Sequence, residues 1–474
     1  MLTTYNKYTV SPKVYPVGKP CEVTLLPAAR SFLFFSDVDY IVMVSGVNGD
    51  DPWYHAPSAW TRFDLHGEGG VLRFTYTFES EQEYQIRIYR GSIEKANQLV
   101  DLAVYALEED LYTRMPLRGD LHSHTFRSDG ECDPAELFGV YREMGYDFQV
   151  LTDHNRYYPN AEIEKVYEGM KLGICHIKGE EVQTPTSTVH IVHAGGKQSV
   201  AEIYFNDPAR YERELAECRT RVPAEIPEGQ RERYAQALWS TERIHEVDGL
   251  AIFAHPFWRP GSNHCYNVCE SLTRSFLSSG MFDAFELVGG MHTDGINRAV
   301  ALWQELRCEG HRIPVVGSSD VHRLATLDFP YHFTICFAAR NERDAILQSV
   351  REGMSVAVEL TGREEEQEYR AYGDFRLVTY AQFLLKNFFP EWQRICHGEG
   401  VAMRRYAMGL TPAATLEALV AQSADFRDTF FGKKAPVVPD NEMIALEDAW
   451  RAVHVNGPQS KGSLAFLDPP TRQL

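Results

Sequence analysis

The chain lacks a basic surplus, a long apolar run, an apolar leader and any paired spacing of cysteines. Each absence excludes something. Acidic residues number 66 against 47 basic ones, for a formal charge of −19 at pH 7. A field of that sign disfavours long nucleic acid and anionic membranes, which need a basic surface. It still permits an anionic substrate where metal ions make a site locally positive. No stretch reaches the ~18 apolar residues of a membrane-spanning helix, so no membrane partner is expected. Residues Met1 to Tyr8 carry no apolar h-region, and the expectation is a cytoplasmic protein. The nine cysteines are scattered and odd in number, which fits reduced thiols. His264-Cys265 with Cys269 lacks the second ligand pair of a structural zinc clip. No internal repeat is found.

What is present is an ordinary globular composition, 44% hydrophobic and 24% charged, over 474 residues. At roughly 150 residues per domain that length suggests two or three domains. Residues 1–114 read as a β-sandwich-like accessory domain, with strands near 21–26, 40–44, 71–78 and 84–89. Turn clusters such as Val47 to Pro52 separate them.

Residues 115–362 change to strand, loop, helix. Seven strands are expected, at 119–124, 148–153, 175–182, 189–193, 250–255, 284–288 and 314–320. Helical stretches over 134–144, 228–247, 295–308 and 342–352 fall between and after them, the last three with apolar positions at helical spacing. Repeated βα units predict an α/β domain with a parallel sheet or barrel, one unit short of eight. The polar segment from about 199 to 247 is an elaboration before the fifth strand. Residues 363–474 read as a helical extension, periodic over 377–389, 411–422 and 441–453, with an irregular tail from Asn456.

The middle region concentrates metal-type ligands where strands end. The first ends Asp120-Leu-His122-Ser-His124, and alternation puts both imidazoles on one face. Asp129 follows in the loop. The second strand ends Thr-Asp153-His154, the third Glu180-Glu181, the fourth offers His190 and His193, the fifth ends Ala-His255-Pro, and the seventh ends Asp320-Val-His322. In a barrel such residues converge at one mouth, which predicts a shared polynuclear site. Neutral imidazoles with carboxylates suit manganese, zinc or iron. Asp153 reads as a partner of a ligand imidazole or as a strand-end cap. Arg127, Arg156, Arg259 and Arg323 each follow a metal motif closely and are candidates to grip phosphate. Phe257 and Trp258, directly after His255, are candidates for a rim or a stacking surface.

These motifs resemble the PHP (polymerase and histidinol phosphatase) superfamily over about residues 115–360. The resemblance rests on Gly-Asp-Leu-His122-Ser-His124-Thr, Ser-Asp129-Gly, Leu-Thr-Asp153-His154-Asn, Gly-Glu-Glu181-Val, His190-Ile-Val, Phe-Ala-His255-Pro and Gly-Ser-Ser-Asp320-Val-His322. It implies a distorted (β/α)7 barrel holding two or three divalent ions. It also implies hydrolysis of a phosphoester by a metal-activated water. By the same resemblance, His122, His124, Glu181 and Asp320 hold one ion. Glu181, His190 and His255 hold a second, and Asp129, His154 and His322 a third. His193 stands where many relatives have a small residue, which implies an altered substrate contact.

The expected partner is a small phosphorylated or nucleotide-like molecule. A phosphodiesterase or exonuclease on short oligonucleotides is the rival within that chemistry. A metal-dependent amidohydrolase is a further enzyme rival, though no lysine stands at these strand ends for carbamylation. A metal-containing binding module without turnover is the rival of a different class. Asp153, His255 and His322 are the candidate catalytic side chains, and His255 or His322 could protonate a leaving group only where it is free of metal.

Overall fold

The computed structural model describes residues 7–48, 60–261, 264–324, 329–362, 367–439 and 441–454. Much of the turn cluster at 47–52 and the tail from Asn456 lie outside these residues. The chain forms two compact units, Met1–Tyr112 with Arg427–Leu474, and Thr113–Phe426.

The first unit holds eight strands: β1 (Tyr8–Ser11), β2 (Val14–Pro16), β3 (Pro20–Pro27), β4 (Tyr40–Gly46), β5 (Thr61–Leu65), β6 (Leu72–Thr77), β7 (Gln82–Arg90) and β8 (Gln98–Leu107), followed by the short α1 (Glu109–Tyr112). They form a three-stranded sheet, β1-β3-β6, and a five-stranded sheet, β2-β8-β7-β4-β5. Val10, Val23, Leu25 and Leu72 from one share a core with Val42, Ile86, Ile88 and Val104 from the other. Alternation does this: Tyr84, Ile86 and Ile88 of β7 point inward and their neighbours outward. The four strands expected from sequence are β3, β4, β6 and β7.

The second unit is mixed α/β and is built on a ten-stranded sheet. Its strands are β9 (Met115–Asp120), β10 (Phe148–Leu151), β11 (Cys175–Val182), β12 (Ile191–Ala194), β13 (Leu250–Phe253), β14 (Ala284–Val288), β15 (Val315–Gly317), β16 (His332–Ala338), β17 (Ser355–Thr361) and β18 (Glu368–Tyr372). The order is β15-β14-β13-β12-β11-β10-β9-β16-β17-β18. The sheet nearly closes on itself. Thr334 Oγ1 accepts from Gly317 N–H at 3.0 Å and donates to Gly317 O at 2.7 Å, and Ser355 Oγ donates to Val315 O at 2.8 Å. Hydroxyls on β16 and β17 thus join β15 across the gap.

Two features differ from the expected run of parallel strands. β12 is antiparallel to both β11 and β13. Only residues 183–190 link β11 to β12, too few for the crossover a parallel neighbour needs. β16, β17 and β18 are antiparallel additions on the β9 side. The sequence reading placed no strands there, because it followed metal motifs and these three carry none.

The helices of this unit are α2 (Pro134–Glu143), α3 (Asn160–Val166), α4 (Ala201–Asn206), α5 (Pro208–Thr220), α6 (Glu228–Glu246), α7 (Glu270–Ser279), α8 (Thr293–Cys308), α9 (Arg343–Arg351), α10 (Phe375–Asn387) and α11 (Phe389–Ala407). Asp133 caps α2, accepting from Ala135 N–H at 2.9 Å, with Pro134 in the first turn. The polar elaboration is α4 to α6. α12 (Ala413–Phe430) carries the boundary between the units and α13 (Asn441–His454) follows it.

The helical extension expected as one domain is therefore divided. Residues 427–454 belong with the β unit: Phe430 O accepts from Lys13 N–H at 2.9 Å, and Arg451 grips both Asp37 oxygens at 2.9 and 3.0 Å. Burial of Ile444 and the Arg451–Asp37 pair supply the reason. Among the described residues no helix is long and apolar enough to cross a membrane.

Candidate metal centre

The strand directions decide where the ligands meet. β9, β10, β11, β13, β14 and β15 share one direction, so their C-terminal ends lie on one side of the sheet. β12 runs the other way, so His190, which immediately precedes it, lies at the same mouth. His122 and His124 stand beyond the end of β9, not on it. Their backbone stays extended because it runs beside the end of β15. Asp320 N–H donates to His122 O at 3.1 Å and His124 N–H to Val321 O at 2.9 Å. The His-x-His and Asp-x-His segments therefore face one another as neighbouring strands would.

All nine expected ligands gather in one place. His122 Nε2 and His124 Nε2 are 3.1 Å apart. Asp320 Oδ1 lies 3.3 and 3.0 Å from them. Glu181 is central: its Oε2 lies 3.3 Å from His122 Nε2, 3.3 Å from His124 Nε2 and 3.0 Å from His154 Nδ1. Its Oε1 lies 2.7 Å from His190 Nδ1 and 3.3 Å from His255 Nε2. Asp129 Oδ2 lies 3.3 Å from His322 Nε2 and 3.6 Å from His154 Nε2. His154 thus faces Asp129 with one nitrogen and Glu181 with the other, joining two groups.

The donors fit divalent cations. Buried Glu181 Oε2, His190 Nδ1 and Asp320 Oδ1 have no hydrogen-bond partner, although other donor atoms crowd within 3.3 Å of them. His322 Nδ1 sits 2.8 Å from Asp320 O, an acceptor, so Nδ1 carries the proton. Its Nε2 lone pair then faces the Asp129 carboxylate. Lone pairs aimed at one another from imidazole and carboxylate repel unless a cation or proton lies between. Four overlapping groups of such atoms fall within 4.8 Å, including His122, His124 and Asp320; His154, Glu181 and His190; and Asp129, His154, His322 and His124. None includes Cys265 or Cys269, which are free thiols.

The electrostatics agree. Burial alone would raise Glu181, yet the imidazoles of His190, His122 and His154 hold it well below the usual carboxylate range. Asp320 and Asp129 are lowered against burial by their histidines. Burial would lower His122, His124, His255 and His322, and the facing carboxylates raise all four instead. His190 is lowered, because its burial outweighs Glu181. Cations bind the unprotonated nitrogens, so metal uptake at pH 7 is expected to release protons, with affinity falling as pH drops. Calorimetry of manganese binding in two buffers of different ionisation heat measures this; identical heats would contradict it.

Backbone strain accompanies the ligands. His255 has φ +22° and Asp320 φ +51°, in a region side chains other than glycine rarely adopt. Beside them Gly290 has φ +60°, and a Cβ there would lie 2.9 Å from His255 Cδ2 and 3.0 Å from Asp320 Oδ2. Gly290→Ala is expected to weaken metal binding by about tenfold with the fold retained, since it displaces two ligands. A metal titration of the variant checks it.

The other expected site residues divide. Asp153 is fully buried, and among the described residues its carboxylate makes no hydrogen bond to a ligand imidazole. Its carboxylate accepts from Thr125 N–H (2.8 Å), Thr125 Oγ1 (2.6 Å) and Ser128 Oγ (2.5 Å), and so holds the turn that presents Asp129. These bonds are the ones its carboxylate makes among the described residues. His193 is buried on the opposite face of β12, with Nδ1 3.1 Å from Glu180 Oε1. Strand alternation sends Glu180 and His193 away from the mouth, so the expected substrate contact at His193 is corrected. Arg127 makes a bidentate pair with Glu162, Arg259 pairs with Asp294, and Arg323 pairs with Glu131 at 3.0 Å. Arg156 is exposed, with no carboxylate in ion-pair reach among the described residues. Phe257 is core, while the Trp258 ring stands 6.0 Å from that of His190 and 5.9 Å from that of His255.

Two buried carboxylates had no role assigned from sequence: Asp120, though it stands in the first motif, and Glu286. Asp120 accepts from Ser319 N–H, His122 N–H and Tyr141 Oη, tying both ligand segments together. Burial pushes its carboxyl up to about 6 against the pull of those bonds. Glu286 lies 2.9 Å from His122 Nδ1. A lone carboxylate in the apolar strand Ala-Phe-Glu286-Leu-Val was the available signal.

No protein-family model and no curated protein matches the chain. Among solved structures it is similar to a two-domain protein from Bacteroides vulgatus containing a predicted PHP-like metal-dependent phosphoesterase. The identity is 17% and the TM-score 0.36, over 55% of this chain and 76% of that one. It is similar to the lesion-specific endonuclease EndoQ of Pyrococcus furiosus at 17% identity and TM-score 0.33, over 50% of this chain and 56% of that one. An amidohydrolase from Chromobacterium violaceum with bound sulfate matches at 19% identity and TM-score 0.29, over 44% of this chain and 88% of that one. In the order of its motifs, the chain resembles the PHP superfamily.

Proposed function

We propose that this protein is a metal-dependent hydrolase of phosphoester bonds, acting on a small phosphomonoester or a nucleotide-like substrate. The observation that carries the reading is the convergence of six imidazoles and three carboxylates, with unsatisfied lone pairs, at the mouth of the sheet. We read β9–β15 as the seven strands of a distorted (β/α)7 barrel with its fourth strand reversed. His122, His124, Glu181 and Asp320 are suited to one divalent ion, Glu181, His190 and His255 to a second, and Asp129, His154 and His322 to a third. Manganese, zinc and iron all suit this nitrogen and oxygen donor set. When bound, such ions lower the pKa of water and neutralise charge building on phosphate oxygens.

The chain's own residues do the rest. Asp120 and Asp153 hold the two loops that carry His122, Asp320 and Asp129. Arg156, exposed and without a carboxylate in ion-pair reach among the described residues, is the arginine we favour for gripping a phosphate oxygen. The Trp258 face beside His190 and His255 offers a stacking surface for a ring-bearing substrate. His322, partly exposed, is the imidazole that solvent and substrate reach most readily.

The test combines elemental analysis of purified protein with a panel run on the same sample with added manganese. The panel holds phosphomonoesters, phosphodiesters, short oligonucleotides and a duplex with an abasic lesion. His122→Ala, Asp320→Ala and His255→Ala should each remove turnover while the protein stays folded. Turnover retained in all three variants would sink the assignment. Bound metal with no turnover on any ester would instead favour a binding module.

A further inference from the structure

Glu286 sits in the middle of β14, whose five residues are all buried. Its carboxylate is fully buried, and no lysine or arginine pairs with it among the described residues. A carboxylate in that position is costly to bury unless something specific offsets its lost hydration. Its partner is His122, whose Nδ1 lies 2.9 Å from Glu286 Oε2. The opposite nitrogen, His122 Nε2, faces Glu181 Oε2 and Asp320 Oδ1, both at 3.3 Å. The His122 ring is stacked on that of His255, with centroids 5.5 Å apart and planes at 19°. A carboxylate oxygen of Glu286 lies within 4.8 Å of a nitrogen of each ring. His122 is thus held from behind by a buried acceptor while its lone pair points at the cluster.

We propose that Glu286 is a positioning residue: by accepting the Nδ1 proton of His122 it fixes that imidazole with Nε2 toward Glu181 and Asp320, and so sets the cation affinity of the centre. The inference rests on the metal-centre reading above. It concerns a residue outside the nine ligands. Losing an outer carboxylate of this kind costs about 10–100-fold in metal affinity, because the ring then rotates and changes tautomer freely and its nitrogen is less basic.

The test uses the full chain stripped of metal and titrated with Co²⁺ alone, read by its d–d absorption. Four proteins are compared: wild type, Glu286→Gln, Glu286→Ala and Glu286→Leu. Glutamine keeps an acceptor and the volume. Leucine keeps the volume without an acceptor, and so serves where the alanine variant folds poorly. Thermal melts of the metal-free proteins separate loss of fold from loss of affinity. The expected result is unchanged Co²⁺ stoichiometry at saturation in all four. Affinity should fall about 10–100-fold in the alanine and leucine variants and recover to within a few fold of wild type in glutamine. Wild-type affinity in the acceptor-free variants overturns the proposal. A lost equivalent of Co²⁺ also overturns it, since Glu286 would then be a ligand. Glutamine binding as weakly as leucine overturns it too, because the acceptor would not be what matters. Wild type that takes up no Co²⁺ removes the metal centre itself, an outcome distinct from these.

Discussion

Replacing Glu181 by Ala is expected to strip the protein of most of its metal and to cut phosphoester turnover by at least about 10³-fold. Losing a partner behind a ligand already costs about 10–100-fold, and Glu181 stands in front. Its two oxygens lie between 2.7 and 3.3 Å from five imidazoles, those of His122, His124, His154, His190 and His255. Among the described residues no other carboxylate pairs with both His122 and His190. Without it, two of the three candidate ion positions lose a ligand at once, and the imidazoles lose the anion that holds their charge in balance. Elemental analysis and a rate assay measure the effect, with Glu181→Gln as the variant that keeps volume. Metal content and rate both within tenfold of wild type would show that Glu181 does not bridge the centre.

Glu399→Ala is expected to destabilise the Thr113–Phe426 unit by about 3–5 kcal/mol, the usual cost of leaving one member of a buried ion pair alone. Arg142 on α2 and Glu399 on α11 are both fully buried and meet at 2.7 Å. Ser423 of α12 bonds to each at 3.0 Å, Asp147 lies 3.5 Å from the guanidinium, and the Trp392 ring lies 4.9 Å from it. Removing Glu399 leaves the guanidinium in a dry pocket with only the more distant Asp147 to balance it. Gly173 N–H, which donates to Glu399 Oε1 at 2.8 Å, loses its acceptor as well. Urea unfolding of the variant against wild type gives the number. A loss under 1 kcal/mol would mean that water enters and solvates Arg142. Metal binding should survive, because none of the nine ligands touches this cluster.

The gathering of the nine candidate ligands was legible because strand-end motifs state residue type and spacing directly, and imidazoles beside carboxylates have few other uses in such density. The choice of Glu181 over Glu180 was what the resemblance to the PHP superfamily implied. Alternation then explains both fates: Glu181 turns to the mouth, while Glu180 turns to His193 and to the backbone N–H of Val200. His193 misled for the same reason in reverse. Three residues after His190 it reads as a substrate contact at the mouth, but it stands on the other face of β12, buried against Glu180. Three of the four arginines have carboxylate partners that proximity in sequence did not announce. Glu162, Asp294 and Glu131 lie far from, or unmarked beside, the arginines they neutralise. Glu286 was overlooked because one acid in an apolar strand carries no spacing signal.

Residue chemistry and local periodicity, both written along the chain, determined that this protein has a β-rich beginning, an α/β middle and a dense set of metal-type ligands. Strand direction, the near-closure of the sheet and the division of the C-terminal helices between two units were decided only in three dimensions. The physical reason is that each depends on pairing between distant segments. A strand's hydrogen bonds take their direction from whichever neighbour they meet, and a buried carboxylate takes its role from the group it faces.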